Sequence, residues 1–133
     1  MREHTERILA QGTTAGIGES DERTKNRPIV LFTVTGAKTG LRRYVPLMRV
    51  EHDEHYAMIG STGGAPKDPA WVADLRSNPK VSVQDGDRVF EGTAREVVGA
   101  ERETWWQRGV EAYPHYTTLQ SLTDRKIPVF VVE

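Results

Sequence analysis

The chain has 133 residues with 19 acidic and 18 basic side chains, a net charge of −1 at neutral pH. That length holds one domain with a sizeable core, and the near-zero charge excludes a general nucleic-acid binder. Cysteine is absent, which excludes a disulfide framework, a thiol nucleophile and any zinc site that needs sulfur, and suits a reducing cytoplasm.

Arg2 to Gln11 has helix-forming composition, with Ile8 and Leu9 as its only strong apolar positions, and lacks the apolar core of a signal peptide. Residues 12–20 are polar and glycine-rich, which predicts a connector. Residues 1–26 are therefore expected to form an N-terminal helix and flexible connector, and 27–133 a single domain. No stretch approaches the roughly 20 apolar residues of a membrane helix. A whole, soluble, cytoplasmic chain without an integral membrane segment is expected.

From Ile29 to Thr35 a β-branched and aromatic run predicts a strand, closed by Gly36. Arg43 to Val50 reads as a second strand and Tyr56 to Ile59 as a third, after an Asp53-Glu54 turn. Asp68-Pro69 predicts an N-cap and first helical residue, and Asn78-Pro79 the end of that helix. Val81 to Val83 and Arg88 to Val98 flank Asp85-Gly86-Asp87, a hairpin signal. Ala100 to Tyr113 has helical periodicity, with Trp105, Trp106, Gly109, Val110 and Tyr113 on one side and Arg102, Gln107, Arg108 and Glu111 elsewhere. Pro114 ends it, a short helix over His115 to Leu122 follows, and Ile127 to Val132 is a sixth strand. Strands joined by tight turns imply an antiparallel sheet, and six of them with few helices predict a small barrel.

The charge is unevenly spread. Between Arg23 and Val50 there are seven basic residues and no acidic one, the pattern of a local anionic ligand. In that stretch Gly36-Ala37-Lys38-Thr39-Gly40 follows a strand and contains Lys-Thr, like a phosphate-binding P-loop. It fails on spacing, because Ala37 precedes the lysine, Leu31 stands at the distal glycine position, and a strand follows. A turn with glycine at both ends still presents successive backbone N–H groups to an anion. Lys38 and Arg43 then add charge to a phosphate or carboxylate. Pro46 cannot donate to a ladder, so the second strand is an edge or is bulged there, with Arg43, Val45 and Leu47 on one face.

The second ligand-grade stretch runs from Ile59 through Gly60-Ser61-Thr62-Gly63-Gly64-Ala65-Pro66-Lys67 to Trp71. Small residues let a backbone approach a flat ring, and the helix that follows presents unpaired N–H groups at its start. Ser61 adds a hydroxyl. His52 and His55 bracket an acidic turn but lack a third ligand on a rigid element, so no metal site is expected. Tyr113 and Tyr116, three apart across Pro114, are candidate phenolic proton donors.

Together these segments resemble the deazaflavin-dependent nitroreductase family of split β-barrel proteins, which use coenzyme F420. The resemblance is carried by Thr33 to Gly40 with Arg43 and Pro46, by Gly60 to Pro66 with Pro69 and Trp71, by Leu75 with Asn78-Pro79, by Ala112-Tyr113-Pro114 with Tyr116, and by Thr123 to Pro128. It implies a six-stranded antiparallel split barrel, mainly β with flanking helices. It also implies an oxidoreductase passing a hydride from the reduced coenzyme, an 8-hydroxy-5-deazaflavin, to a quinone, nitro compound or activated enone. By position, Ala37, Lys38, Thr39 and Arg43 would hold the phosphate and acidic tail. Tyr44, Val45, Pro46, Leu47, Met48, Ile59, Gly60, Ser61, Thr62, Ala70, Trp71, Val72, Ala73 and Asp74 would line the ring and its side chain. Tyr116 would contact the cofactor, Tyr113 would border the acceptor, and Ser61 would complete the catalytic set. Met48 and Leu119 stand where nitro-reducing members carry aromatic residues, so cofactor binding is expected to survive more readily than nitro reduction. The partners implied are a small-molecule electron acceptor and, at most, a second copy of the chain as a homodimer. Membrane association is expected only if the acceptor is a quinone. The alternatives are a noncatalytic deazaflavin or lipid carrier, and a split barrel loaded with flavin mononucleotide.

Overall fold

The computed structural model describes residues 28–61 and 67–133, together with Leu9, an exposed helical residue. Thr62 and nearly all of the expected N-terminal helix and connector lie outside the described residues.

Strand β1 (Ile29–Thr35) turns at residues 36–41 into β2 (Arg42–Met48). Short β3 (Glu51–His52) and β4 (His55–Ile59) form a second hairpin. Its turn residues Asp53 and Glu54 both have positive φ, 51° and 67°, as a two-residue turn that follows strand twist requires. The Glu54 N–H donates to the Glu51 side chain, which fixes the turn. Helix α1 (Ala70–Ser77) precedes β5 (Lys80–Asp85) and β6 (Arg88–Glu96), with Gly86 at φ 63° between the two strands. Then come α2 (Gly99–Ala112), α3 (His115–Ser121) and β7 (Val129–Val132).

All strand pairs are antiparallel, in the order β2-β1-β5-β6-β7-β4-β3. β6 serves both halves: Arg88 to Thr93 pair with β5, and Ala94 to Glu96 with β7. β2 and β3 stand at opposite ends of the order, yet only Arg49 and Val50 separate them in the chain. Arg49 N–H donates to Pro28 O on the β1 side, and Val50 O accepts from Ala57 on the β4 side. One kinked path therefore stitches the two ends together, and the sheet curls into a split barrel.

Seven strands replace the expected six because β2 stops at Met48, short of the expected Val50, and after Arg49 and Val50 the chain adds a short strand, β3, that pairs with β4. The last strand begins at Val129, not Ile127. The Ile127 N–H is taken by the Gln120 side chain, and the Pro128 carbonyl accepts from Gly60. The strand before α2 stops at Glu96, short of the expected Val98.

Alternation along each strand divides the core in two. Val30, Phe32, Val34, Val45, Tyr56, Met58, Phe130 and Val132 point into the barrel and meet Trp71, Val72 and Leu75 of α1. Ile29, Leu31, Met48, Ala57, Ile59, Val129 and Val131 point outward and are covered by Trp105, Trp106, Tyr116 and Leu119. Burial on both faces explains why β1, β4 and β7 read as unbroken apolar runs.

Arg102 was expected off the apolar side of its helix and is instead buried there. Its guanidinium donates to Ile127 O at 2.7 Å, contacts Glu103 at 3.0 Å and lies 4.7 Å from the Trp106 ring. Helical spacing cannot distinguish an exposed cation from one whose stem covers apolar surface while its head finds acceptors.

Candidate functional site

Gly36 N–H donates to Leu41 O and Gly40 N–H to Gly36 O, closing the turn between β1 and β2. Leu41 N–H donates to the Thr39 hydroxyl oxygen at 3.2 Å, which leaves the Thr39 proton to be given elsewhere. A Cβ at position 36 would sit 2.8 Å from Thr39 Oγ1 and 3.3 Å from Leu41 O, so this tight closure requires glycine.

The Ala37 N–H does not face outward; it donates to Asp74 Oδ1 of α1 at 2.9 Å. Asp74 is 3% exposed, and its other oxygen lies 2.7 Å from Arg43 Nε. That oxygen takes no in-line hydrogen bond, so the contact is a charge contact whose N–H is not aimed at it. Asp74 thus ties α1 to the turn and to β2. Among the described residues, the N–H groups of Lys38 and Thr39 have no protein partner and Lys38 makes no ion pair. Two free N–H groups, an exposed ammonium, a hydroxyl proton and a half-exposed guanidinium are a donor set that fits a phosphate.

Along β2, Arg43 and Tyr44 are exposed, Leu47 is half-buried, and Val45, Pro46 and Met48 are buried. Pro46 faces Leu31 of β1, and β2 ends the strand order, so it is the edge strand that proline demands. Val45 joins Trp71 and Val72 in the barrel core, while Met48 joins Ile59 and Tyr116 on the helical side. On α1, Ala70 and Ala73 are exposed, and Trp71 packs edge-on against Phe130 at 5.9 Å.

Ile59 is buried where β4 meets the helices. Gly60 follows, with its N–H on Pro128 O and no room for a side chain: a Cβ would meet Pro128 Cγ at 3.1 Å and Val72 Cγ2 at 3.3 Å. Ser61 is half-buried, and its carbonyl accepts from Arg125 at 2.8 Å. Asp68, expected to cap α1, does not; the N-cap is Pro69 with no side-chain bond, and Asp68 faces Arg125. The guanidinium competes successfully because it supplies a charged donor, where the helix end offers only neutral N–H groups.

Tyr113 and Tyr116 meet edge to face at 5.1 Å, and Tyr113 also meets His115 at 5.5 Å. Tyr116 is 4% exposed and packs near Gly109, where any Cβ would come within 2.5 Å of Ile59 Cδ1. Burial, with Tyr113 beside it, pushes the Tyr116 hydroxyl well above the usual phenol range. It stays protonated at neutral pH. His52 and His55 face each other across the β3–β4 hairpin, away from this constellation.

The structure joins Ala37, Arg43 and Asp74 directly, and gathers Met48, Ile59 and Tyr116 in one core. β4 and Gly60 link the two groups. Arg125 and Gln120 carry no site signal of their own in the sequence, although Arg125 stands within the Thr123 to Pro128 motif.

Comparison with known proteins adds a family. The model of the F420H(2)-dependent quinone reductase family matches residues 1–133. The F420H(2)-dependent quinone reductase Rv1261c of Mycobacterium tuberculosis is 35% identical over 108 residues, covering 79% of this chain and 72% of that protein. A solved F420-H2 dependent reductase, FDR-A, is 62% identical, covering 80% of this chain and 95% of its own, with a TM-score of 0.77. A structure described as a domain-swapped dimer is 59% identical, covering 99% and 96%, with a TM-score of 0.78.

Proposed function

The chain belongs to the F420H(2)-dependent quinone reductase family, and from that premise we propose how this barrel holds coenzyme F420 and presents it to an acceptor. The family makes it an oxidoreductase that uses the reduced deazaflavin. When bound, the coenzyme supplies the hydride; the protein's part is to bind, orient and manage protons.

The N–H groups of Lys38 and Thr39, the Lys38 ammonium, the Thr39 hydroxyl and Arg43 hold the phosphate and the start of the acidic tail. Ala37 shapes the turn through its bond to Asp74 and leaves the anion to its neighbours. Tyr44 to Met48, Ile59 to Ser61 and Ala70 to Asp74 surround the ring. Ser61 and Tyr116 hold protonated hydroxyls toward it, and Tyr113 borders the acceptor. The observation that carries this reading is the turn between β1 and β2: among the described residues the N–H groups of Lys38 and Thr39 have no partner, while Gly36, Ala37, Gly40 and Leu41 are bonded within the protein. Residues 27–133 make up the cofactor-binding domain. The acceptor is a quinone or another small electrophile. A second copy of the chain is the macromolecular partner to look for, since a close relative is described as a domain-swapped dimer. No helix among the described residues is long and apolar enough to cross a membrane.

The test is to titrate the protein with the oxidised deazaflavin and with flavin mononucleotide, then follow oxidation of the reduced deazaflavin by menadione and by a nitroaromatic. Deazaflavin binding with menadione turnover is expected. Binding without turnover by any acceptor points to a carrier. Preference for flavin mononucleotide would overturn the assignment of the Lys38 turn to the tail.

A further inference from the structure

Arg125 lies between α3 and β7, in a segment to which neither the sequence nor the family reading gives a task. Its side chain is only 14% exposed. One terminal nitrogen donates to Ser61 O and the other to Asp68 Oδ1, both at 2.8 Å. These acceptors sit at the end of β4 and just before α1, so one planar fork spans the two ends of the connection between them.

The arginine is itself held. Its carbonyl accepts from Gln120 Nε2 at 2.8 Å, its N–H donates to Thr123 Oγ1 at 3.3 Å, and Ile127 N–H donates to Gln120 Oε1 at 3.1 Å. Gln120 is on α3, one turn beyond Tyr116. A continuous run of hydrogen bonds therefore leads from the helix of one candidate proton donor to the backbone of the other.

We propose that Arg125 is a positioning residue for the deazaflavin ring: it fixes the Ser61 carbonyl, and with it the backbone that carries the Ser61 hydroxyl, relative to α1 and α3. The inference rests on the reading above that Ser61 borders the ring. Lysine cannot reproduce the function in full, because an ammonium is a point charge and does not direct two donors in a fixed plane. Asp68 is the weaker arm: its contact is exposed, whereas the contact to the Ser61 carbonyl is partly buried.

The test compares Arg125→Ala, Arg125→Lys and Asp68→Ala with wild type and with Arg95→Ala, which removes exposed ion pairs to Glu101 and Glu133. For each, the thermal midpoint without cofactor and the dissociation constant for oxidised deazaflavin, by fluorescence of the bound ring, are measured. Arg125→Ala should weaken binding about tenfold, Asp68→Ala about threefold, and Arg125→Lys should fall between Arg125→Ala and wild type. Arg95→Ala should leave binding unchanged. If Arg125→Ala does not fold, Asp68→Ala decides, since it removes one arm from a partly exposed position. Folded variants that lose only thermal stability and bind within twofold of wild type would reduce Arg125 to a fastener and overturn the proposal. Failure of wild type itself to bind deazaflavin would overturn both this inference and the reading beneath it.

Discussion

Asp74 puts a buried carboxylate next to the turn proposed to hold an anion, and separating its two effects gives a sharp test. Asp74→Ala removes the acceptor of the Ala37 N–H. Because Ala37 is exposed and water can replace the bond, the cost is about 0.5–1.5 kcal/mol. It also removes the charge contact to Arg43, whose side chain is 47% exposed, for a further ~0.5–1 kcal/mol. A stability loss of about 1–2.5 kcal/mol is expected in urea unfolding. Asp74→Asn is different: an amide oxygen retains the Ala37 bond, while the charge and the acceptor opposite Arg43 Nε are lost. A unit charge repels an anion about 8 Å away by about 0.5–1 kcal/mol at an effective dielectric of roughly 40–80. The asparagine variant should therefore bind deazaflavin about two- to fivefold more tightly by fluorescence titration, and the alanine variant more weakly than the asparagine one because its turn is no longer anchored. If Asp74→Asn weakened binding fivefold or more, the carboxylate would be in direct service to the ligand and the scaffold argument would fail.

Lys38→Ala should cost about 1–3 kcal/mol of cofactor affinity with no change in the thermal midpoint, since Lys38 has no partner among the described residues. Arg43→Ala should cost similar affinity and also stability, because Asp74 would lose its countercharge; equal melting of the two variants would count against the difference. Gly109→Ala forces a methyl against Ile59 in the core and should destabilise by about 1–2 kcal/mol net of the better helix propensity, seen as a lower midpoint in denaturant. Tyr56 donates to Asp85 at 2.6 Å, and burial followed by that bond raises its ionisation to about 12. The folded protein keeps this proton where the unfolded chain has lost it, so its contribution is complete below pH ~10 and lost as pH rises through about 12. Tyr56→Phe should flatten the fall in stability over that window, and an unchanged alkaline profile would refute the assignment.

What was legible in the sequence was local or periodic. The Asp53-Glu54 and Asp85-Gly86 turns, the edge character of β2 from Pro46, and the helix stop at Asn78-Pro79 each follow from one residue's backbone chemistry. The basic run around Lys38 marks, through charge alone, the turn proposed to hold an anion. The bonds that make the site rigid were not legible, because they join residues distant in the chain: Ala37 with Asp74, and Arg125 with Ser61 and Asp68. Asp68 shows the difficulty directly. Its position before Pro69 satisfies every local rule for a cap, and a cation 57 residues later takes it instead. Arg102 and Asp74 have the spacing of ordinary helix residues, and only the acceptors and donors brought to them by other elements explain their burial.

The central place of β7 has a consequence for synthesis. β4 depends on Val129 to Val132 for its ladder on one side, and those residues are made about 70 positions later. At roughly 5–20 residues per second, the apolar run from Tyr56 to Ile59 waits about 4–14 s on the ribosome for its partner. During that interval its other edge is unpaired, and the yield of this protein in a cell should depend on translation speed and on chaperones that shield such edges.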